Sequence, residues 1–375
     1  MKRLKKVLKR MLLSILGLIG ILVIIYFLFV NFYPTFGGDV SKERQALYQK
    51  SKQFNGSKFV NKKNVPKDPS FSDILKISRK FFFETVENGR PEKELAIQKI
   101  DSTNIAEYRN RRLIWFGHSA FLLQMDGKNI LIDPMFGDVP APHPWLGGKR
   151  FNKELPVEIE KLPKIDAIVI SHDHYDHLDY ESIKKLKDKV ETYFVPLGVG
   201  VHLEAWDIDS TKINEMDWWE ETTFKKIQLA CTPAQHFSGR KFNNGQSTLW
   251  ASWVIKSDNT SLFFSGDSGY GPHFKQIGEQ YGPFDFAMME CGQYNKMWPD
   301  IHMFPEETAQ AGVDVQAKTV MPIHWGAFKL AMHSWTDPIE RVSKKAEELK
   351  IPLATPQVGE PILIDSLPKP NSVWW

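Results

Sequence analysis

The sequence predicts an α/β protein built as an αββα sandwich, two β-sheets face to face with helices outside, carried behind one N-terminal transmembrane helix. Three observations predict it. Short apolar runs of strand length alternate with helical patterns through two halves of the chain. Several of these runs close on a histidine or an aspartate, which gathers polar groups along one edge of the sandwich. Ahead of them all, residues 11–30 are uncharged and almost wholly apolar.

Those twenty residues, rising about 1.5 Å each as a helix, cover about 30 Å, one hydrocarbon thickness. A helix buried in a globular core shows a polar face, and this stretch has none. Six basic residues precede it (Lys2, Arg3, Lys5, Lys6, Lys9, Arg10), and Asn31-Phe32-Tyr33-Pro34 follows without a small-residue cleavage site. An uncleaved anchor is expected, with aromatics at the membrane interface. The charge bias places the N-terminus in the cytoplasm and the rest of the chain outside the plasma membrane. Residues 1–30 are then the basic start and anchor, 31–100 a connector with leader helices, and 101–375 the main domain. Net charge is +3 with six positives in the first ten residues, so the remainder is slightly acidic and offers nothing for nucleic acid to bind. Cys231 and Cys291 are too few for a disulfide framework and are expected as buried free thiols.

The elements follow in order. A helix is expected over 42–52 in an otherwise polar connector, and an amphipathic helix over 72–83 with Ile74, Leu75, Ile77, Phe81 and Phe82 apolar. Strands are expected at 113–116, 120–124 and 130–132, with Asp126-Gly127 as a hairpin turn. Residues 138–150 hold Pro140, Pro142, Pro144 and Gly147-Gly148, too many breakers for a regular element, so they form a long loop with His143 and Trp145 on its surface. Next come a strand at 167–170, a helix at 179–187, a strand at 192–195 and a strand pair opening at 217–220. Strands at 227–232, 250–255, 261–265, 286–289 and 319–323 then alternate with helices at 274–280, 306–316 and 338–349. His273 and His333 are expected at the surface or at helix ends.

The chemistry centres on Ser171-His172-Asp173-His174-Tyr175-Asp176-His177, which follows the buried run Ala167-Ile168-Val169-Ile170. At a strand end side chains can converge above the sheet. Neutral imidazole and carboxylate are what a borderline cation such as zinc prefers. His172 and His174, two apart, reach one cation from the same side of an extended backbone, and Asp176 and His177 reach a second as the chain turns. A metal site needs three or four ligands. His236, Asp267 and His324 each close a later strand-like run and complete seven ligands for two metals.

His-x-His-x-Asp-His followed by a distant His, Asp and His resembles the metal pattern of the metallo-β-lactamase fold. Trp115-Phe116-Gly117-His118-Ser119, Leu131-Ile132-Asp133-Pro134, residues 232–240, residues 264–270 and Ile323-His324-Trp325-Gly326 are similar to the branch of N-acylphosphatidylethanolamine-hydrolysing phospholipases D and their bacterial relatives. The resemblance implies two mostly antiparallel sheets flanked by helices. It also implies that Phe36-Gly37-Gly38 and residues 55–61 belong to leader segments packed on the domain. His172, His174 and His236 would hold one zinc and Asp176, His177 and His324 the other, with Asp267 bridging; iron or manganese stays open. Asp176 and Asp267 are thus the catalytic carboxylates, His118 and Asp133 lie behind the metals, and His302 lines the site. Such a metal pair, about 3.5–4 Å apart, lowers the pKa of a shared water from 15.7 to roughly 7 and supplies hydroxide at neutral pH. The expected activity is that of a membrane-anchored metal-dependent phosphodiesterase acting on phospholipid in the bilayer. A metal-dependent lactonase or esterase, or a metal-binding scaffold without activity, remains as an alternative.

Overall fold

The uncharged stretch lies inside one continuous helix, Lys2–Phe32 (α1), in the computed structural model, which describes residues 2–61, 71–366 and 373–375. Only Val30 of this helix is buried, and the helix is long and apolar enough to cross a membrane. Past it the chain does not dangle. A short 3-10 turn, Pro34–Phe36, leads into helix α2 (Lys42–Tyr48), whose N-cap Ser41 accepts a hydrogen bond from the Arg44 amide. Tyr48, Phe54 and Phe59 are buried in the main core.

Helix α3 (Phe71–Phe83) covers the expected amphipathic segment; Leu75 and Phe83 are exposed, and the side chains of Ile74, Phe81 and Phe82 lie outside the described residues. Helix α4 (Ser102–Glu107) is capped by Asp101. Strands β1 (Arg112–Trp115), β2 (Phe121–Met125), β3 (Lys128–Ile132), β4 (Ile165–Val169), β5 (Val190–Pro196) and β6 (Ile213–Met216) join β13 (Pro361–Leu363) in one sheet, ordered β13-β1-β2-β3-β4-β5-β6. Helices α5 (Tyr180–Leu186) and α6 (Gly200–Ala205) connect its parallel members. The second sheet runs β12-β11-β10-β9-β8-β7, from β7 (Glu221–Phe224), β8 (Ile227–Thr232), β9 (Ser252–Ser257), β10 (Thr260–Phe264), β11 (Phe286–Glu290) and β12 (Val320–Ile323). Helices α7 (His273–Tyr281), α8 (Pro305–Asp314) and α9 (Asp337–Leu349) lie on its outer side.

The first sheet is apolar on both faces because both are covered. Leu113, Trp115, Leu123, Ile130, Ile132 and Val169 enter the core between the sheets. Their neighbours Ile114, Leu122, Leu131 and Ile168 pack outward against Ile183 and Leu186 of α5 and Leu203 of α6. Strands buried on both faces read as continuous apolar runs, which is why β3 and β4 are visible in the sequence.

Some expectations change. Both sheets are mixed: β13-β1-β2-β3 and β7-β8-β9-β10 pair antiparallel, while β3-β4-β5-β6 and β10-β11-β12 pair parallel, so the first sheet is evenly divided and the second mostly antiparallel. Residues 217–220 lie just ahead of the expected strand pair, β7–β8, rather than in it. They form the turn that carries the chain from β6 in one sheet to β7 in the other, with the Trp219 amide already donating to the Cys231 carbonyl at 2.7 Å. The Glu220 carboxylate accepts from the Asp217 amide at 2.8 Å, and Trp219 takes φ 74°. Tryptophan's β-propensity was the misleading signal, since Trp218 is buried by packing rather than by strand pairing. His273 begins α7, but it is buried rather than at the surface and meets Ser268 Oγ at 3.0 Å. Asp126-Gly127 turns β2 into β3 with both residues at positive φ, and both cysteines are buried and free.

Candidate metal centre

The site is assembled where strands end. Strand β4 delivers the 171–177 loop, β1 delivers His118, β3 Asp133, β8 His236, β10 Asp267 and β12 His324. Three of these residues bend the chain through the left-handed region, His118 at φ 55°, Asp133 at 38° and His324 at 66°. A non-glycine residue holds that conformation only where its surroundings over-determine it. Gly292 serves the same end by close approach: a Cβ there would stand 1.9 Å from the His324 carbonyl oxygen.

All seven expected ligands converge, in two groups whose ligand atoms lie within 4.8 Å of one another. In the first, His174 Nδ1 is 2.9 Å from His172 Nε2 and 3.2 Å from His236 Nε2, and both of those Nε2 atoms are 3.8 Å from Asp267 Oδ2. In the second, Asp176 Oδ2 lies 2.8 Å from His118 Nε2, 3.1 Å from His324 Nε2 and 3.5 Å from His177 Nε2. Asp267 reaches this group too, at 3.1 Å from His177 Nε2 and 3.2 Å from His324 Nε2. His118 stands closer than expected, its Nε2 level with the ligand atoms rather than behind them.

The donor set fits a cation pair. Three imidazole nitrogens, those of His172, His174 and His236, converge, and among the described residues the buried His177 Nε2 and Asp267 Oδ1 stand 3.1 Å apart without making a well-formed hydrogen bond. Ligands about 2.05 Å from a tetrahedral zinc stand about 3.3 Å apart, the spacing seen here. Electrostatics agree. Burial, then neighbouring imidazoles, holds His172 well below its ordinary pKa, and burial likewise lowers His174 and His236, so all three are neutral. Burial works against charge at Asp176 and Asp267 as well, but His177 and the other imidazoles outweigh it and keep both carboxyls well below the usual range. The carboxylates in turn overcome burial at His177, raised well above its ordinary value, and at His324, pushed up to about 10. The cluster therefore demands positive charge, which a cation supplies once those protons leave.

A buried frame holds the ligands. Asp133, fully buried, accepts from His177 Nδ1 at 2.6 Å, from the Ser171 amide at 2.7 Å and from Ser171 Oγ at 2.5 Å. Ser171 Oγ also meets His172 Nδ1 at 2.9 Å, and the Ile301 carbonyl accepts from His236 Nδ1 at 2.9 Å. Glu290, buried at the end of β11, accepts from the Ser268 amide, binds His302 Nδ1 and stands 3.6 Å from His324 Nδ1. Such partners fix which imidazole nitrogen faces the cation. His302 closes the frame, its ring stacked on His324 at 5.2 Å.

Ser171, Glu290, Asp173 and Arg240 went unassigned from sequence, because each acts through a partner distant along the chain. Asp173, next to two ligands, points away from them and accepts from Thr248 Oγ1 and the Gly239 amide. Arg240 donates to the Asp173 and Leu178 carbonyls with one arm and to Thr35 with the other, stacked over Tyr175 at 4.1 Å. Lysine lacks that planar fork. Arg240→Lys is expected to cost about 3 kcal/mol, one net hydrogen bond per orphaned carbonyl, read as a lower denaturation midpoint; an unchanged midpoint would remove the clamp.

The cluster opens into a cleft of about 750 Å³, lined by His174, Asp176, His236, Asp267, His302 and His324 together with apolar residues that include Phe237, Met297, Trp298, Ile301 and Leu330. Fold and site together define a metal-dependent hydrolase. Residues 128–325 match the β-lactamase superfamily domain. An uncharacterized protein of Mycobacterium tuberculosis is 39% identical over 332 residues, 86% of this chain and 87% of that one. The chain belongs to the metallo-β-lactamase superfamily. It is also similar to N-acyl-phosphatidylethanolamine-hydrolyzing phospholipase D 1 of Caenorhabditis elegans, 29% identical over 319 residues, 79% of this chain and 89% of that one. Among solved structures, the metallo hydrolase Igni18 of Ignicoccus hospitalis shares the fold with TM-score 0.51 at 22% identity, covering 67% of this chain and 97% of the other.

Proposed function

We propose that this chain is a membrane-anchored phosphodiesterase of the N-acylphosphatidylethanolamine phospholipase D type, working with two zinc ions. The observation that carries the proposal is a pair of ligand groups sharing Asp267 at the base of a cleft with apolar lining. His172, His174 and His236 would hold one cation and Asp176, His177 and His324 the other. When bound, such a pair supplies Lewis acidity and a nucleophilic water near neutral pH.

The chain's own residues do the rest. Asp133 and Ser171 keep His177 and His172 aimed inward. Glu290 occupies the Nδ1 side of His302, which leaves Nε2 as the nitrogen to meet a leaving oxygen. The apolar lining accommodates acyl chain and excludes water from the phosphodiester. Support for a lipid substrate comes from the sequence similarity to the worm phospholipase and from the apolar helix α1.

The test is purified full-length chain in nanodiscs, assayed for bound zinc, iron and manganese and given N-acylphosphatidylethanolamine or an acyl-homoserine lactone. Phosphatidate and N-acylethanolamine are the expected products. Turnover of the lactone alone would replace the phosphodiesterase by the lactonase alternative, and a metal-loaded chain inert to both would leave a scaffold. Proteolysis of intact cells is expected to digest the C-terminal domain, and protection would reverse the orientation.

Metal loading should carry a pH signature. Below their raised pKa values His177 and His324 hold protons that a cation must displace, so affinity rises with pH through the neutral range. Zinc titration calorimetry at pH 7 in buffers of different ionisation enthalpy is expected to report net proton release. Heats independent of the buffer would contradict it.

A further inference from the structure

The anchor is not joined to the domain by a loose tether. Where α1 ends, the Pro34 carbonyl accepts from Trp206 Nε1 at 2.7 Å, Thr35 Oγ1 donates to the Pro142 carbonyl at 2.5 Å, and Arg240 grips the Thr35 carbonyl. Phe36 packs edge-on against Tyr175, inside the metal-binding loop. The next residues press so closely on α6 that a Cβ on Gly37 would stand 2.3 Å from His202 Nδ1 and one on Gly38 2.3 Å from the Val201 oxygen. The direction of α1 is therefore tied to that of the cleft.

Two loops from the domain reach along the last turns of this helix. The loop after β3 brings His143 to 6.2 Å from Phe29 and 5.4 Å from Tyr33, and Trp145 packs on His143 at 5.0 Å. The loop after β8 brings Phe242 to 6.5 Å from Tyr26. Tyr26 lies about 9 Å back along the helix from Phe32 at 1.5 Å per residue, inside the apolar stretch. Any side chain touching Tyr26 or Phe29 of a spanning helix is at bilayer depth. The tips of these loops are large and apolar, and among the described residues nothing buries them: Trp145 is 90% exposed, Leu146 61% and Phe242 94%. Exposure of that kind is costly in water and favourable in a membrane interface.

We infer that Trp145, Leu146 and Phe242 form a collar around the C-terminal end of α1 that seats the cleft on the bilayer, so that the substrate is an amphiphile reached from within that bilayer. The inference rests on the reading of α1 as an anchor and of the cleft as a hydrolase site, and names its access route. The route is short. In the loop after β8, Phe242 follows the candidate ligand His236 by six residues, and Phe237, packed on His174 at 4.5 Å, lines the cleft. Six residues extend over at most about 20 Å, within reach of a lipid whose acyl chains stay in the membrane while its head group meets the metals.

The test needs no substrate. Cys231 and Cys291 are buried, so Trp145→Cys or Phe242→Cys in the full-length chain can be labelled selectively with an environment-sensitive dye, with Asp258→Cys at the far end of the second sheet as control. In phosphatidylcholine vesicles both test labels are expected to emit blue-shifted and to be quenched several-fold by lipid-borne spin labels, while the control stays unquenched. Either test label behaving like the control would overturn the collar, and a chain that fails to insert would overturn it together with the anchor. Embedded labels on a chain that hydrolyses no lipid would sink the hydrolase reading and leave the collar standing.

Discussion

Asp267→Ala is expected to reduce hydrolysis of any substrate by about a thousandfold. Among the described residues Asp267 is the carboxylate that reaches both groups, 3.8 Å from His172 and His236 on one side and 3.1–3.2 Å from His177 and His324 on the other. On the proposed two-cation reading, removing it takes away an anionic ligand common to both ions, and several kcal/mol of transition-state stabilisation at 1.36 kcal/mol per tenfold gives that loss. It also removes the charge that balances the buried imidazoles, so bound metal is expected to fall as well. Elemental analysis beside a turnover assay checks both. Near-normal activity with full metal content would show that Asp267 does not bridge.

Asp133→Asn is expected to destabilise the domain by about 3 kcal/mol and to weaken zinc binding 10- to 100-fold, although Asp133 lies behind the ligands. The carboxylate accepts three hydrogen bonds, from His177 Nδ1 and from the amide and hydroxyl of Ser171, with no exposure to water. Asparagine keeps the shape but turns an amide NH₂ toward one of those donors, leaving that donor unpaired in the core. His177 then loses the contact that aims Nε2 at the cluster. A denaturation midpoint and a competitive zinc titration measure the two effects. If both stayed at wild-type values, the frame described for the 171–177 loop would be wrong.

Much of the fold was legible because its strands are buried on both faces. Ala167-Ile168-Val169-Ile170 and Leu131-Ile132 stand out as apolar runs, and Asp126-Gly127 declares its hairpin through two residues that tolerate positive φ. β6 and β13 were not legible. They are short edge strands, and β6 carries Asn214 and Glu215, so neither periodicity nor apolarity separates them from loop. Residues 217–220 misled because tryptophan suits a strand and a buried turn alike.

The candidate ligands were legible jointly rather than one by one: a lone His or Asp closing an apolar run is most often an ordinary strand-end residue, and only beside the 172–177 cluster do His236, Asp267 and His324 point to a metal. What holds them was legible only in part: the resemblance set Asp133 behind the metals, but not its partners Ser171 and His177, 38 and 44 residues away, nor the reach of Arg240 back 205 residues to Thr35. The sequence by itself determined the strands, the apolar helix and the kinds of donor atom offered, because these depend on local side-chain chemistry and spacing. Only the tertiary structure decided that His118 joins the second group, that Glu290 and Ser171 meet the imidazoles, and that the end of α1 is bolted to the 171–177 loop. Those depend on which buried polar groups meet across the sandwich, and burial obliges each group to find partners that no local pattern records.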